Sequence, residues 1–270
     1  MKKVILITGA SSGMGKVAAK DLIQQGHIIY TVARRIEQMQ DLKAMGGHPM
    51  QMDITNEEDI QNVVDSIIQK EGKIDVLWNN AGYGLYGSVE DVPLDEARKQ
   101  FEVNIFGLAS ITQKVIPYMR KAKSGTVINT SSMGGKMYMP LGAWYHASKH
   151  ALEGWSDSLR LDLKPFGIHV VVLEPGIIAT EWDGIMIDNI TKFSGNGAYS
   201  DMAGRVAAAS KKMYDNGASN PSVISDSISK IVASSNPKTR YRIGKLAKPM
   251  VWMRVFLGDK LFDKIVMSQI

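Results

Sequence analysis

The chain has 270 residues, 44% of them apolar and 22% charged, enough for one sizeable core and common for a single α/β domain. It contains no cysteine, which excludes disulfides, thiol catalysis and cysteine-based metal sites and fits a reducing, cytoplasmic setting. The net charge is +5 with no basic stripe interleaved with aromatics, so nucleic acid is not an expected partner. The charge leaves an ordinary solvated surface or attraction for a small anionic ligand such as a phosphorylated cofactor.

In chain order, residues 3–8 form a continuous apolar run, as in a buried parallel strand. The basic start resembles the opening of a signal peptide, but the run is too short for a signal core or a membrane span. A glycine-rich turn occupies 9–15, and 16–25 reads as a helix stopped by Gly26. A second strand is expected over 27–33, a polar helix to about 45, and a third strand over 47–52. Thr55-Asn56-Glu57-Glu58 resembles a capping box that opens a helix ending near 72. Strands over 74–79 and 125–130 bracket one long helix over 95–120. A helix over 143–164 and a strand over 168–173 follow. This alternation implies a doubly wound, Rossmann-like parallel sheet with helices on both faces and ligands beyond the carboxyl ends of its strands.

The rhythm changes after Gly176. Residues 177–220 are rich in Gly, Asn, Ser and Asp, with one helical stretch near 201–214, and read as a lid inserted into the same domain. A helix over 222–234 and a last strand over 239–243 precede a tail over 246–270, where apolar residues recur at helical spacing beside Lys248, Arg254, Lys260 and Lys264. One domain over 1–270 accommodates all of this.

Thr8-Gly9-Ala10-Ser11-Ser12-Gly13-Met14-Gly15 follows a strand and opens a helix. Glycines there permit a tight turn and close approach of a pyrophosphate, and the helix N-terminus offers free N–H groups to it. The spacing is one residue longer than the usual dinucleotide fingerprint. Asn79-Asn80-Ala81-Gly82, Asn104, Ser131-Ser132, Tyr145-His146-Ala147-Ser148-Lys149 and Glu174-Pro175-Gly176 follow in order. With these motifs the chain resembles the short-chain dehydrogenase/reductase family from residue 4 to about 180.

The second strand ends at Ala33 and is followed by Arg34 and Arg35, where an NAD enzyme would place a carboxylate. Guanidinium forks match a 2′-phosphate, so NADP(H) is the expected cofactor. In the family the residue after the missing acid carries the phosphate contact, so the resemblance puts Arg34 ahead of Arg35. The resemblance implies that Gly9, Ser11, Ser12, Gly13, Met14 and Gly15 hold the pyrophosphate and that Asn80, Ala81 and Gly82 line the adenosine side. It further implies Asp53 near the adenine, a helix cap being the other role open to it, and Asn79 as a support of the central sheet. Pro175 and Gly176 resemble the segment that cups the nicotinamide, which implies Thr180 as the partner of its carboxamide.

Tyr145 and Lys149 stand at i and i+4, on one helix face, where a cation lowers the pKa of a nearby phenol. The family's pattern makes Tyr145 the acid/base, Lys149 its tuner and ribose anchor, Ser132 the carbonyl-orienting hydroxyl and Asn104 part of a water-mediated proton relay. Ser131 points the other way from its neighbour. His146 and His150 share the four-residue spacing but have no third ligand, so no metal site is expected and both read as structural.

Met133, Met139, Trp144, Trp182 and Met186 either wall an apolar pocket or pack the lid and tail. The favoured substrate is a bulky or apolar small-molecule carbonyl or alcohol. Part of the pattern looks like the branch near 17-beta-hydroxysteroid and retinol dehydrogenases. The tail caps the cleft, packs against another subunit or touches a membrane surface, in that order of expectation. The helices over 95–120 and 143–164 form dimer contacts in many relatives, which implies a homodimer or homotetramer. The rivals are an NADP-binding redox-sensing regulator without turnover and a sugar-nucleotide epimerase or dehydratase. The first class usually lacks the Tyr or Lys, and the second tends to be longer.

Overall fold

A computed structural model describes residues 2–270. Seven parallel strands form one sheet in the order β3-β2-β1-β4-β5-β6-β7. They are β1 Val4–Thr8, β2 Ile28–Ala33, β3 His48–Gln51, β4 Val76–Asn79, β5 Gly125–Thr130, β6 Ile168–Pro175 and β7 Arg240–Ile243. The helices are α1 Gly13–Gln24, α2 Gln40–Ala44, α3 Glu57–Glu71, α4 Leu94–Phe101, α5 Leu108–Ala122, α6 Ala143–Leu163, α7 Trp182–Ser194, α8 Ser200–Asp215, α9 Ser222–Ala233, α10 Ala247–Phe256 and α11 Asp259–Met267.

The unbroken apolar run of β1 is explained by burial on both faces. Val4 and Leu6 join a core with Val63, Val64 and Ile67 of α3 and Ile111 and Val115 of α5. Ile5 and Ile7 point the other way, to Leu22 of α1 and Ile224 and Ile228 of α9. The order reverses at β1, which pairs with β2 on one side and β4 on the other. That switch point opens the crevice in which such sheets bind ligands.

Four local expectations need correction. The helix expected over 95–120 is interrupted by a wide π turn over Glu102–Gly107. Gly107 packs so closely on the segment before α3 that a Cβ would lie 2.2 Å from the Ile54 carbonyl oxygen. The cap of α3 is Asn56 rather than Thr55: its side chain accepts from the backbone N–H groups of Glu58 and Asp59. The segment after β6 holds two helices, α7 and α8, not one. Poor helix formers such as Gly184, Asn189 and Thr191 hide α7 in the sequence, and packing of its Met186 and Ile190 on Tyr86 and Tyr145 supplies what propensity lacks. The tail is likewise two helices, broken where Gly258 takes a φ of 71°.

Candidate active site

The glycine loop is clamped from behind by the end of β4. Thr8 Oγ1 accepts from the backbone N–H groups of Asn80 and Ala81, at 3.0 Å each. The Asn80 amide donates to the carbonyls of Thr8 and Gly9, both at 3.1 Å. Gly9 sits at φ +68°, and a Cβ there would lie 2.7 Å from Ala81 Cα. Only glycine combines that conformation with that approach. Asn80 thus holds the loop as well as facing the cleft.

A cleft of about 950 Å³ runs from this loop along the strand ends. Ser11, Ser12, Gly13 and Met14 line it, as do Arg34, Arg35, Asp53, Asn80, Ala81 and Gly82. The far side of the same cleft is Pro175, Gly176 and Thr180. Thr180 Cγ2 lies 3.4 Å from where a Gly13 Cβ would stand, so the segment after β6 closes over the loop. Gly15 lies just behind, its Cβ position 2.6 Å from Asn80 Nδ2.

Arg34 and Arg35 are exposed and make no ion pair among the described residues. Two free guanidinium groups beside a strand end that carries Ala33 fit a phosphorylated ribose. Asp53 is engaged locally: its Oδ1 accepts from the N–H and hydroxyl of Thr55, at 2.9 and 2.8 Å. It therefore shapes the turn before α3 while also lining the cleft.

β5 delivers Ser131 and Ser132 to the cleft floor. Ser132 Oγ accepts from Gly134 N–H at 3.0 Å and stands near enough to the Tyr145 phenol to pull its pKa down. Ser131 Oγ is buried with no partner, behind the Gly135 turn, as strand alternation implies. Tyr145 projects from α6 into a cage of Tyr86, His146 and Trp182, with ring centroids 5.5 Å away in each case. Burial pushes its phenol up to about 12, with the Ser132 contact pulling in the opposite direction.

Lys149 is 6% exposed, and its Nζ donates to the Thr130 carbonyl at 2.9 Å. Burial brings its ammonium down to about 8, opposed by the charge of Glu153. Burial of the ring is the larger influence on the phenol and the Ser132 contact the opposing one; Lys149 is not among the groups that shift it in this arrangement.

The π turn carries Asn104 into the same cluster. Its Nδ2 donates to the Tyr83 carbonyl and to Ser148 Oγ, both at 3.1 Å, and its Oδ1 accepts from Tyr83 N–H at 3.1 Å. Asn104 Oδ1 and Lys149 Nζ converge on Gly82, 3.1 and 3.6 Å from the position of its missing Cβ. π turns recur at functional sites because they rotate one side chain out of the regular helical order. An unbroken helix would not have revealed it.

His146, unassigned from sequence, has a definite structural role. One ring nitrogen, Nδ1, sits 2.9 Å from the Gly134 carbonyl, and the other, Nε2, accepts from Met139 N–H at 3.0 Å. A carbonyl only accepts, so Nδ1 carries the proton and the ring is neutral. Burial holds its pKa down at about 4. The ring staples both ends of the loop between β5 and α6, the loop whose methionines wall the cleft.

Met133, Met139, Trp182 and Met186 line the cleft as expected. Trp144 does not: one position before Tyr145, it turns about 100° away on the helix and sits half-buried outside. Wall residues not singled out from sequence include Tyr86, Met137 and Met213, with Met250 and Met253 from α10. Apolar residues at helical spacing looked the same on either face of the tail. No group of His, Asp or Glu able to hold a metal occurs among the described residues.

Comparison with known proteins gives the same reading of the fold. Residues 3–188 match the family model described as short chain dehydrogenase. A 3-ketodihydrosphingosine reductase of Bacteroides thetaiotaomicron is 38% identical over 257 residues, covering 93% of both chains. A probable short-chain type dehydrogenase/reductase of Helicobacter pylori is 33% identical, over 96% of this chain and 95% of its own. Among solved structures, a short-chain dehydrogenase from Streptomyces avermitilis superposes with a TM-score of 0.83 at 29% identity, covering 99% of each chain. A serine dehydrogenase complexed with NADP+ gives a TM-score of 0.79 at 26% identity, over 91% of this chain and 96% of its own. The sheet order, the clamped glycine loop and these matches agree: the chain belongs to the short-chain dehydrogenase family and is an oxidoreductase.

Proposed function

We propose that the protein interconverts a carbonyl and an alcohol on an apolar, long-chain substrate with NADP(H), Tyr145 being the acid/base. The observation that carries this is one continuous cleft. Unpaired Arg34 and Arg35, the hydroxyls Ser132 and Tyr145, and a wall of methionines all line it. Bound nicotinamide supplies or accepts the hydride. Ser132 and Tyr145 hold the substrate oxygen between two hydroxyls, and a phenol held near 12 is protonated at pH 7, the form that donates to a reduced carbonyl. Lys149 and Asn104 support the proton's replacement from behind. The name of the 38%-identical relative supports a long-chain keto amphiphile as substrate. The matching features here are Met133, Met137, Met139, Met250 and Met253, flexible side chains that adapt to an acyl chain.

In this reading α7 and α8 form the lid, since Trp182 and Met186 face Tyr145 across the cleft. Leu94, Phe106 and Leu161, 57%, 57% and 65% exposed on α4, the π turn and α6, are the surface through which two copies pair. The test is NADPH and NADH consumption over a panel of long-chain ketones, steroids, retinoids, quinones and small aldehydes. NADPH turnover of an apolar ketone is expected. Tyr145→Phe lowers kcat by about 10³-fold while NADPH still binds. Wild-type-like turnover in that variant overturns the mechanism, and no turnover across the panel favours a cofactor-binding regulator.

A further inference from the structure

The outward faces of α10 and α11 are not explained by the sheet or the cleft. On the inward side, Val251, Phe262 and Val266 are buried, and Met250, Met253 and Ile265 line the cleft. On the outward side, Trp252, Val255, Phe256 and Leu261 are 56%, 61%, 67% and 48% exposed. Trp252 and Phe256 stand one turn apart with ring centroids at 5.4 Å, so they form one contiguous apolar ridge.

Cations stand along the same two helices. Lys248 lies one turn before Trp252, and Lys260 and Lys264 flank Leu261. None of the three forms an ion pair among the described residues. The acids of the two helices are engaged: Asp259 pairs with Arg254 at 2.8 Å, and Asp263 accepts from the Tyr138 hydroxyl at 2.8 Å.

We propose that the α10–α11 face docks onto an anionic lipid bilayer. Trp252, Val255, Phe256 and Leu261 enter the boundary between headgroups and acyl chains, and Lys248, Lys260 and Lys264 meet lipid phosphates. Exposed aromatics on an amphipathic helix with lysines at their edges match that interface in both polarity and charge. A second copy of the chain matches it less well: each such face carries three lysines outside any ion pair and only one such acid, Asp263, so two faces would set an excess of lysine against lysine. No helix among the described residues is long and apolar enough to cross a membrane, and the docking proposed is of this face onto the surface. The same helices wall the cleft, so docking brings its apolar end to the surface where a long-chain ketone partitions. That consequence rests on the substrate proposed above, but the docking does not.

The test is co-sedimentation of the full chain with vesicles of phosphatidylcholine, with and without phosphatidylglycerol, at low and high salt. Binding to the phosphatidylglycerol vesicles, weakened by salt, is expected. Lys260→Gln with Lys264→Gln lowers partitioning by about 25-fold, about fivefold per charge. Trp252→Ser with Phe256→Ser lowers it by at least about tenfold. Both variants keep wild-type turnover of a small water-soluble ketone. Wild-type chain left in the supernatant at low salt overturns the proposal, as does binding indifferent to phosphatidylglycerol or to both variants. A fall in molar mass by light scattering for Trp252→Ser with Phe256→Ser, without vesicle binding by the wild type, assigns the face to a second copy. Sedimentation needs no turnover, so its failure leaves the oxidoreductase reading intact.

Discussion

The two ends of the cleft are built by different physics. At the inner end directional bonds tie the groups around the reacting centre: Thr8 to Asn80 and Ala81, Asn104 to Tyr83 and Ser148, Lys149 to Thr130. At the outer end Met133, Met139, Trp182 and Met250 come from separate elements and meet through nondirectional contact. Hydrogen bonds fix a group to within tenths of an ångström, whereas dispersion contact mainly fixes a volume. Changes at the inner end should therefore act on kcat, and changes at the outer end on KM for apolar substrates.

The sharpest probe of the inner end compares the adjacent serines. Ser132 lines the cleft and pulls the pKa of the phenol down, while Ser131 Oγ is buried without a partner. Ser132→Ala is expected to lower kcat by about 10²–10³-fold, the cost of a lost donor at a developing oxyanion. Ser131→Ala should leave kcat near wild type, because it removes a hydroxyl that bonds nothing. Steady-state kinetics on one ketone with saturating NADPH decides it, and equal losses in both variants would erase the distinction drawn from strand alternation.

His146 joins the two ends, and its effect is read in stability. Its pKa is held at about 4 against 6.5 when solvated, a displacement of about 3 kcal/mol. Between those values the unfolded chain binds a proton that the folded protein refuses. Its contribution is therefore fully present above pH 6.5 and lost as pH falls toward 4. Urea unfolding at pH 7 and pH 4.5 should show the wild type losing about 2–3 kcal/mol more than His146→Gln, which cannot titrate. Parallel losses would mean that the ring is not the buried neutral staple between Gly134 and Met139.

Arg34 sits at the solvent-facing rim, so its effect is smaller. Arg34→Ala should lower kcat/KM for NADPH by about 10–100-fold and leave that for NADH nearly unchanged, the range of one charged hydrogen-bonding group. Arg35→Ala should do less. Initial rates with both cofactors check this, and a matching loss with NADH would assign Arg34 to general packing of the loop.

What was legible in the sequence follows the same division. The glycine loop, Ser132, Tyr145 and Lys149 could be singled out because the family's pattern asks for a particular residue type at each, and the fold brings them to one cleft. Alternation even separated Ser132 from Ser131. Asn104 was visible as a residue, but the π turn that rotates it inward was not, since nothing in residues 95–120 breaks helical periodicity. The outer wall was least legible. Trp144 and Trp182 were equally plausible until α6 turned one away and α7 turned the other inward. Met250 and Trp252 are two residues apart on α10, yet one faces the cleft and the other solvent.

That last pair gives the mildest test of the comparison. Met250 is partly buried and lines the apolar end of the cleft, so Met250→Ala removes contact area but no directional bond. Loss of about 1 kcal/mol of apolar contact predicts a rise of about fivefold in KM for a long-chain ketone. kcat should not change, and neither should KM for a short ketone that does not reach α10. Measuring both substrates in one variant isolates chain length as the variable. If the short ketone suffers equally, α10 is acting through the geometry of the inner end, and the two ends of the cleft are not independent.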